Sequence, residues 1–286
     1  MRSNRTLDLI RKGDVALGTW IELHNLYATR LLAAQGCFQW MLIDAEHSPV
    51  ESGTIATLCA MMSDISQGLI TPLVRVATGT IDHIKQALDC GAQGIIAPMI
   101  NTKEEAANVV KFAKYPPEGQ RGIGGLFPHI GYGVKRRPEY LERANQETLV
   151  GIQIETREGA DNISEILDVK GIDFIFIGPN DLHQSLGLNP QFWSEEPLFQ
   201  AYVQKIITAC QDRGIPYGTL CPSAAQAKDR KGDGFTFLGL GSDTSFLLSS
   251  AGKQYSDFYN LPEPPEGWRS VVNLHRLQES TLGKCL

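Results

Sequence analysis

Acidic residues follow two apolar runs in the second half of the chain. Glu155 comes directly after the run Leu149–Ile154, in IQIET, and Asp181 comes after the run Asp173–Ile177, in GPND. Two carboxylates that converge supply hard oxygen ligands and leave positions for water and substrate, which suits Mg²⁺ or Mn²⁺ and suits Zn²⁺ less well. A 2-oxo acid that chelates such an ion forms an enolate more easily, because the ion acts as a Lewis acid.

Groups that complete enolate chemistry follow two earlier runs. Arg75 stands in the run Pro72–Val76 and offers a fixed positive charge to a developing enolate oxygen. His47, in LIDAEH, is a proton carrier near neutral pH. A carboxylate is needed to hold the tautomer of this imidazole, and either Asp44 or Asp89 could supply it.

Each of these residues also has a structural interpretation. A His after a strand is commonly a surface or capping residue, and an Asp after Gly-Pro-Asn is commonly a helix N-cap. Arg75 could be a buried partner for Asp44, and Glu155 could form a solvated ion pair with Arg157. The candidate side chains gather at the ends of apolar runs, however, and this concentration favours a site over a set of separate structural roles.

The elements that must position these side chains alternate regularly. Eight short apolar runs are typical of parallel strands that helices cover on both faces. The runs are Ala16–Ile21, Trp40–Ile43, Pro72–Val76, Gly94–Pro98, Leu149–Ile154, Asp173–Ile177, Pro216–Leu220 and Phe235–Leu240. Stretches with helical periodicity lie between them, at Tyr27–Ala34, Glu51–Met62, Ile81–Asp89, Lys103–Lys114, Gly159–Leu167, Leu198–Arg213, Ala224–Lys231 and Asp243–Lys253.

Eight alternations of strand and helix predict an α/β fold, a (β/α)8 TIM barrel, in which catalytic groups follow the C-terminal ends of the strands. An open doubly wound sheet is the competing architecture, but no GxGxxG turn follows the first run. We expect one barrel domain over residues 1–260 and a tail over 261–286, which packs on a neighbouring subunit or extends freely. The long connection 115–146 is typical of a lid or a substrate wall, and we expect Arg121 and residues 126–137 to border the acceptor pocket.

Composition narrows the class of protein. The chain has 286 residues, a net charge of −6 and no run of Lys or Arg, so we expect no nucleic-acid partner. The N-terminus has no apolar signal core and no apolar segment reaches membrane-spanning length, which predicts a cytoplasmic protein without a membrane partner. Six cysteines without metal or CxxC spacing are typical of reduced thiols.

Three other classes compete with metal–enolate chemistry. A Schiff-base aldolase needs a Lys on a strand inside the barrel, and every Lys falls in a predicted helix, a loop or the tail. Nucleophilic catalysis has no GxSxG motif, and Cys221 has only His47 as a partner at a strand end. A catalytically inactive barrel that serves as a scaffold is the third alternative, and the acid pair with His47 and Arg75 argues against it.

Several segments resemble one known family. The segments LIDAEHSP, VRVATGTIDHIKQALDCGAQGIIAPMI, PPEGQRGIGG, VGIQIETREGADNISEILDVKGIDFIFIGPNDLHQSLG and FLGLGSDTSFL occur in this order over roughly residues 5–255. Together they are similar to the HpcH/HpaI aldolase family, and most similar to its metal-dependent 4-hydroxy-2-oxoheptanedioate and 2-keto-3-deoxy-sugar-acid aldolases.

The resemblance implies a TIM barrel and reversible cleavage of a 4-hydroxy-2-oxo acid into pyruvate and an aldehyde through a metal-bound enolate. Mg²⁺ or Mn²⁺ is the expected cofactor, with Co²⁺ as a further candidate. A homo-oligomer is implied as well, a hexamer or trimer of dimers in which C-terminal helices are exchanged.

The resemblance also implies roles for individual residues. The divalent metal would be bound by Glu155 and Asp181. The substrate would be contacted by Gln153 and Asn180 and by the backbone of Gly178, Pro179 and Asp181, and from its place at the end of the first run we also expect a substrate contact from Trp20. His47 would be the base, Asp89 would raise its basicity, and Arg75 would stabilise the enolate.

Two positions depart from the family pattern. Asn180 stands where the family often has a small residue between Pro and Asp, and His183 stands where it often has Ser. These departures leave the identity of the aldehyde open. The family is also similar to macrophomate synthase, so the alternative function is oxaloacetate decarboxylation or enolate addition on the same site.

Overall fold

The computed structural model of the chain describes residues 3–124 and 137–260. The strands are β1 (Ala16–Ile21), β2 (Trp40–Asp44), β3 (Thr71–Arg75), β4 (Gly94–Ala97), β5 (Leu149–Ile154), β6 (Phe174–Ile177), β7 (Tyr217–Cys221) and β8 (Phe237–Ser242). The helices are α1 (Arg5–Arg11), α2 (Leu26–Ala34), α3 (Ser52–Ile65), α4 (Ile81–Asp89), α5 (Lys103–Ala113), α6 (Arg137–Glu147), α7 (Arg157–Asp161), α8 (Ile163–Ile166), α9 (Pro179–Ser185), α10 (Pro197–Arg213), α11 (Ala224–Gly232) and α12 (Asp243–Phe258).

The eight strands close into a barrel. Each strand pairs in parallel with the next one along the chain, and β8 pairs in parallel with β1. The predicted (β/α)8 TIM barrel is therefore confirmed. The proposed tail, 261–286, and most of the predicted acceptor-pocket segment, 126–137, lie outside the described residues, and the domain limits stay a prediction.

Alternate strand residues fill the interior of the barrel, because successive side chains of a strand point to opposite faces. A single apolar cluster contains Trp20, Trp40, Phe174 and Phe237 from four different strands. The ring of Phe237 stacks on Trp40 at 4.3 Å and on Phe174 at 4.2 Å between centroids. The second large cluster lies between the strands and the surrounding helices, so every strand is buried on both faces.

The first helix closes the N-terminal end of the barrel. Leu7 and Ile10 of α1 belong to the interior cluster. The buried side chain of Asn4 donates to the carbonyl oxygens of Gln93 (3.0 Å) and Glu147 (2.9 Å), and it caps α1 by accepting from Leu7 N (3.1 Å). These bonds fix α1 against the N-terminal ends of the strands, so this helix covers that end of the barrel.

Three helical segments differ from the prediction. α6 lies in the stretch that was predicted as a long connection. The sequence did not reveal this helix, because RPEYLERANQE has too few apolar residues to show a periodic pattern. α9 starts directly after β6, with Gly178 as N-cap and Pro179 in its first turn. The predicted helix Gly159–Leu167 is interrupted at Asn162, which separates α7 from α8. In the described part of the chain, no helix has both the length and the apolar character to cross a membrane.

Candidate active site

A buried ion pair joins the C-terminal ends of β2 and β3. Asp44 and Arg75 are direct partners in the register of these strands. Arg75 donates from Nε to Asp44 Oδ1 (2.8 Å) and from Nη2 to Asp44 Oδ2 (2.7 Å), which is a bidentate pair. The structural interpretation of Arg75 as a partner of Asp44 is therefore correct, but this pairing leaves Nη1 for other groups.

The remaining nitrogen of Arg75 faces a second acid. Arg75 Nη1 lies 3.0 Å from Glu46 Oε2, and the guanidinium carbon lies 4.3 Å from the centroid of the Trp20 ring. A guanidinium over an indole face gains a cation–π contact. Trp20 thus supports Arg75 from inside the barrel, although its role in contacting the substrate stays a prediction.

Burial changes the acid–base behaviour of Glu46. The pKa of Glu46 is raised to about 7, mainly by desolvation; the charges of Asp44 and Asp181 contribute to the rise, and the charge of Arg75 opposes it. The ion pair with Arg75 does not outweigh the loss of hydration, because Arg75 is already shared with Asp44. Glu46 therefore titrates near neutral pH in the protein without a bound cation.

Glu155 is held at the end of β5 by two hydrogen bonds. Its Oε1 accepts from Met99 N (2.8 Å) and its Oε2 accepts from Gln153 Nε2 (2.5 Å). Gly178 packs so closely that a Cβ at this position would collide with Glu155 Oε2. The carboxylate of Glu155 is thus buried and fixed in orientation, and it makes no contact with Arg157, whose guanidinium lies over Tyr202.

The electrostatics of Glu155 show that the acids of the site are near one another. Desolvation raises the pKa of Glu155 to about 7, the bonds from Gln153 and Met99 lower it, and the charges of Glu46 and Asp181 raise it. Like charges in one desolvated site disfavour each other's ionisation. Glu46, which follows β2, Glu155, which follows β5, and Asp181 in α9 therefore share the mouth of the barrel.

Asp181 comes to this mouth through the position of α9. Gly178, and not Asp181, is the N-cap of the helix, so the N-cap interpretation of Asp181 is wrong. The buried ring of His183 anchors the helix, with Nδ1 2.6 Å from Pro179 O and Nε2 2.7 Å from Ser194 Oγ. The departure from the family pattern at His183 is thus a change in how α9 is packed, and it does not add a group to the site.

The comparisons with known proteins agree with this geometry. The family model of HpcH/HpaI aldolase/citrate lyase matches residues 17–250. The chain belongs to this family. A relative from Salmonella dublin, named 4-hydroxy-2-oxo-heptane-1,7-dioate aldolase, is 39% identical over 251 residues, which cover 87% of this chain and 92% of the relative.

Solved structures of the HpcH/HpaI family have the same fold. A family protein from Burkholderia cenocepacia J2315 has a TM-score of 0.84 and 27% identity, and the match covers 90% of this chain and 100% of that protein's chain. Macrophomate synthase has a TM-score of 0.78 at 22% identity and covers 90% of this chain and 89% of its own. A citrate lyase beta subunit from M. tuberculosis, solved with oxaloacetate and magnesium, has a TM-score of 0.54 at 12% identity, with 82% of this chain and 95% of that chain covered. These last two matches show a shared fold only.

The donor set of the mouth suits an oxygen-preferring cation. In residues 3–124 and 137–260, no three His, Cys, Asp or Glu side chains gather as a metal cluster. The candidates are the carboxylates of Glu155 and Asp181, and the buried Gln153 Oε1 beside them has no hydrogen-bond partner among the described groups. Two carboxylates and a free amide oxygen, without thiolate or imidazole, fit Mg²⁺ or Mn²⁺ better than Zn²⁺.

His47, the candidate base, lies near Glu46, whereas the family resemblance implied Asp89 as its partner. The ring of His47 is 64% exposed, and its Nε2 lies 3.8 Å from Glu46 Oε2. Asp89, the last residue of α4, accepts a hydrogen bond from Arg121 Nη2 (2.9 Å). Within one chain the structure therefore brings His47 to Glu46, and the effect of Asp89 on the basicity of His47 stays a prediction.

Sequence reasoning gave Glu46 no role in the site. The signal that identifies Glu46 is its position two residues after Asp44, which puts both side chains on the inward face of the β2 extension. Cys221 ends β7 and Asp243 follows β8, and both have other roles. Cys221 belongs to the core between strands and helices, and Asp243 accepts backbone hydrogen bonds from Glu22 and Leu23.

Proposed function

We propose that this member of the HpcH/HpaI family is a divalent-metal-dependent pyruvate aldolase that cleaves a 4-hydroxy-2-oxo acid reversibly into pyruvate and an aldehyde. The observation that carries the proposal is a group of acids that interact electrostatically at one mouth, Glu46, Glu155 and Asp181, with the guanidinium of Arg75 beside Glu46. Such a mouth has an excess of negative charge that a bound cation would offset. The name of the Salmonella dublin relative, an aldolase, supports the same chemistry.

The chain's own residues would bind the 2-oxo acid and the cation. Glu155 and Asp181 hold the cation, and Gln153 with the turn Gly178–Asp181 contacts the pyruvate part of the substrate. Gly178 leaves space for this approach, since any larger residue there would meet Glu155. A divalent cation at this position supplies Lewis-acid polarisation of the 2-oxo group. Mg²⁺ or Mn²⁺ is proposed, with Co²⁺ as a further candidate.

The bond-breaking step needs a base and a fixed positive charge. His47 removes the proton of the 4-hydroxyl group, the C3–C4 bond breaks, and its electron pair stays on C3 of the pyruvate enolate while C4 becomes the aldehyde carbon. The enolate then takes up a proton at C3, from His47 or from water, which gives pyruvate. Arg75 stabilises the negative charge on the enolate oxygen, and its orientation is already fixed by Asp44 and Trp20. The exposed ring of His47 is accessible to a substrate that enters from solvent.

We also propose that the chain forms a homo-oligomer, a hexamer, in the cytoplasm. Apolar side chains stand exposed on two neighbouring helices, Tyr27 (75% exposed) and Leu31 (67%) on α2 and Leu247 (62%) on α12, which supports a buried subunit contact. The described cysteines are all free thiols, which supports a reducing compartment. Sedimentation velocity of the full chain tests the oligomer, and a monomer at micromolar concentration would contradict it.

The test of the catalytic proposal combines cation removal with matched variants. Exhaustive EDTA treatment should abolish cleavage, and Mg²⁺ or Mn²⁺ should restore it. Glu155→Gln should lower kcat/KM by about a thousandfold or more, since it removes a ligand of the cation. Glu158→Gln changes an exposed Glu three residues away and should retain wild-type activity. Cleavage that survives EDTA unchanged would overturn the proposal.

A further inference from the structure

An acid and a hydroxyl group meet on the rim of the barrel, opposite the carboxylates of β5 and β6. In the pairing of β1 with β8, Trp20 lies beside Ser242. Glu22 comes two residues after Trp20, and Thr244 comes two residues after Ser242. β8 has a bulge opposite the stretch of β1 from Gly18 to Trp20, and this bulge brings Ser242 beside Trp20. Glu22 and Thr244 are therefore neighbours on the inward side of the rim.

The rim pair is held by hydrogen bonds. Thr244 Oγ1 donates to Glu22 Oε2, and Ser242 Oγ lies 2.8 Å from Thr244 Oγ1. The backbone of Glu22 is fixed too, because its N–H donates to the buried carboxylate of Asp243 at 2.9 Å. A side chain that is fixed in this way can discriminate between ligands, because little conformational freedom is lost on binding.

The position of Glu22 relates it to the reacting end of the site. Arg75 lies over the ring of Trp20, and Glu22 is two residues further along the same inward face. Two residues of an extended chain span ~7 Å. Glu22 therefore extends the inward face of β1 beyond the ring that supports the guanidinium, and in the closed barrel β1 lies opposite β5, the strand that Glu155 follows.

The charge of Glu22 is not neutralised by a described cationic group. No ion pair among residues 3–124 and 137–260 includes Glu22, and its side-chain partner is the neutral hydroxyl of Thr244. One of its carboxylate oxygens is thus available to a ligand that donates hydrogen bonds. A ligand that brings a second negative charge to the same place would be repelled.

We propose that Glu22, oriented by Thr244, determines the acceptor aldehyde, accepting hydrogen bonds from its hydroxyl groups and disfavouring an acceptor with a distal carboxylate. This inference rests on the proposed aldolase function. The proposed acceptor is therefore a neutral aldehyde with hydroxyl groups. This differs from the Salmonella dublin relative, whose name describes a substrate with a carboxylate at each end. Glu22 is a specificity residue, since the pyruvate end of the substrate is bound elsewhere.

The experiment measures a ratio of acceptors on the full, Mg²⁺-loaded protein. Pyruvate is offered with glyceraldehyde, which carries hydroxyl groups, or with succinic semialdehyde, which carries a carboxylate. Wild type should prefer glyceraldehyde, and Glu22→Gln should shift the ratio of kcat/KM values towards succinic semialdehyde by about tenfold or more. Thr244→Val should shift the ratio in the same direction by less, because the acid keeps its charge but loses its orientation. Glu104→Gln, an exposed Glu on α5, should leave the ratio at its wild-type value.

Two further measurements separate the possible failures. Exchange of the pyruvate methyl protons with D₂O reports enolate formation without any acceptor, and its absence in wild type would overturn the aldolase proposal together with this inference. Intact exchange with a ratio that Glu22→Gln leaves within twofold, or a wild type that prefers succinic semialdehyde, would overturn this inference alone. Saturation-transfer NMR of glyceraldehyde on the metal-free protein gives a readout without turnover, and its signal should be weaker for Glu22→Gln.

Discussion

The two ends of the barrel differ in how their buried charges are compensated. At the N-terminal end, the ammonium of Lys114 donates to Asn145 O and Thr148 O, both at 2.6 Å, and lies 3.9 Å from Asp173 Oδ2. At the C-terminal end, Asp44 and Glu46 share one guanidinium, while Asp181 and Glu155 add charge without a further cation among the described residues.

The difference shows which end is arranged for stability and which for binding. Lys114 is a buried charge whose desolvation lowers its pKa, and Asp173 is a buried acid whose pKa desolvation raises, yet each partly offsets the other. At the mouth, desolvation raises two acids to a pKa of about 7, and the neighbouring acids add to the shift. The active-site end of a TIM barrel can contain acids whose burial is unfavourable for stability, because these acids bind a ligand.

The largest expected effect is at the N-terminal end. Lys114→Met should lower the free energy of unfolding by ~3 kcal/mol, since it leaves the carbonyls of Asn145 and Thr148 without a donor and Asp173 without its buried partner. Activity at 25 °C should stay within twofold of wild type. Denaturant unfolding and steady-state kinetics measure the two quantities.

A matched control lies at the start of α5, the helix that ends just before Lys114. Lys103→Met removes an exposed ion pair with Asp168 and should change stability by less than ~0.5 kcal/mol. If Lys114→Met lost activity and kept its stability, the division of labour between the two ends would be wrong.

The second effect belongs to the mouth. Gly178→Ala places a Cβ against Glu155 Oε2 and should displace the carboxylate. We expect a loss of about a hundredfold in kcat/KM, because a small misplacement of a catalytic group is costly. Gly187→Ala in the next loop has open space for its Cβ and should keep the activity, with a small loss of stability from its positive φ of 80°. A fully active Gly178→Ala would argue against Glu155 as a ligand of the cation.

The same contrast limits what the sequence can predict. The strands were predictable because burial on both faces leaves continuous apolar runs, and β1 and β5 have the predicted bounds. The candidate residues at the strand ends were predictable because barrel chemistry follows the strands. Helix α6 was not predicted, because its polar sequence has no periodic signal. The helix is held in place by packing of Tyr140 against Tyr115.

Partnerships across the fold are the part that the sequence does not contain. The pairing of Asp89 with Arg121 depends on how the segment after α5 returns to α4, which local pattern does not encode. Glu46 was within reach of sequence reasoning, however, since counting every second residue beyond β2 places it beside Asp44. The same count beyond β1 leads from Trp20 to Glu22.

The smallest expected effect is a pH dependence that the mouth imposes on the metal-free protein. The pKa values of Glu46 and Glu155 are raised from 4.5 to about 7, so between these values the folded state binds more protons than the unfolded state. Stability from these groups is therefore fully present below pH 4.5 and is lost as the pH rises through 7.

Thermal unfolding at both pH values in EDTA measures this slope, and two comparisons give it meaning. The double variant Glu46→Gln with Glu155→Gln should have a flatter slope than wild type, because neither amide titrates. Saturating Mg²⁺ should stabilise wild type more at pH 8 than at pH 5, since a cation competes with protons for the same oxygens. Lys103→Met, which removes only an exposed ion pair, should retain the wild-type slope. If wild type and the double variant lost stability equally with rising pH, the acids of the mouth would be better solvated than their burial indicates, and the electrostatic contrast between the two ends would fail.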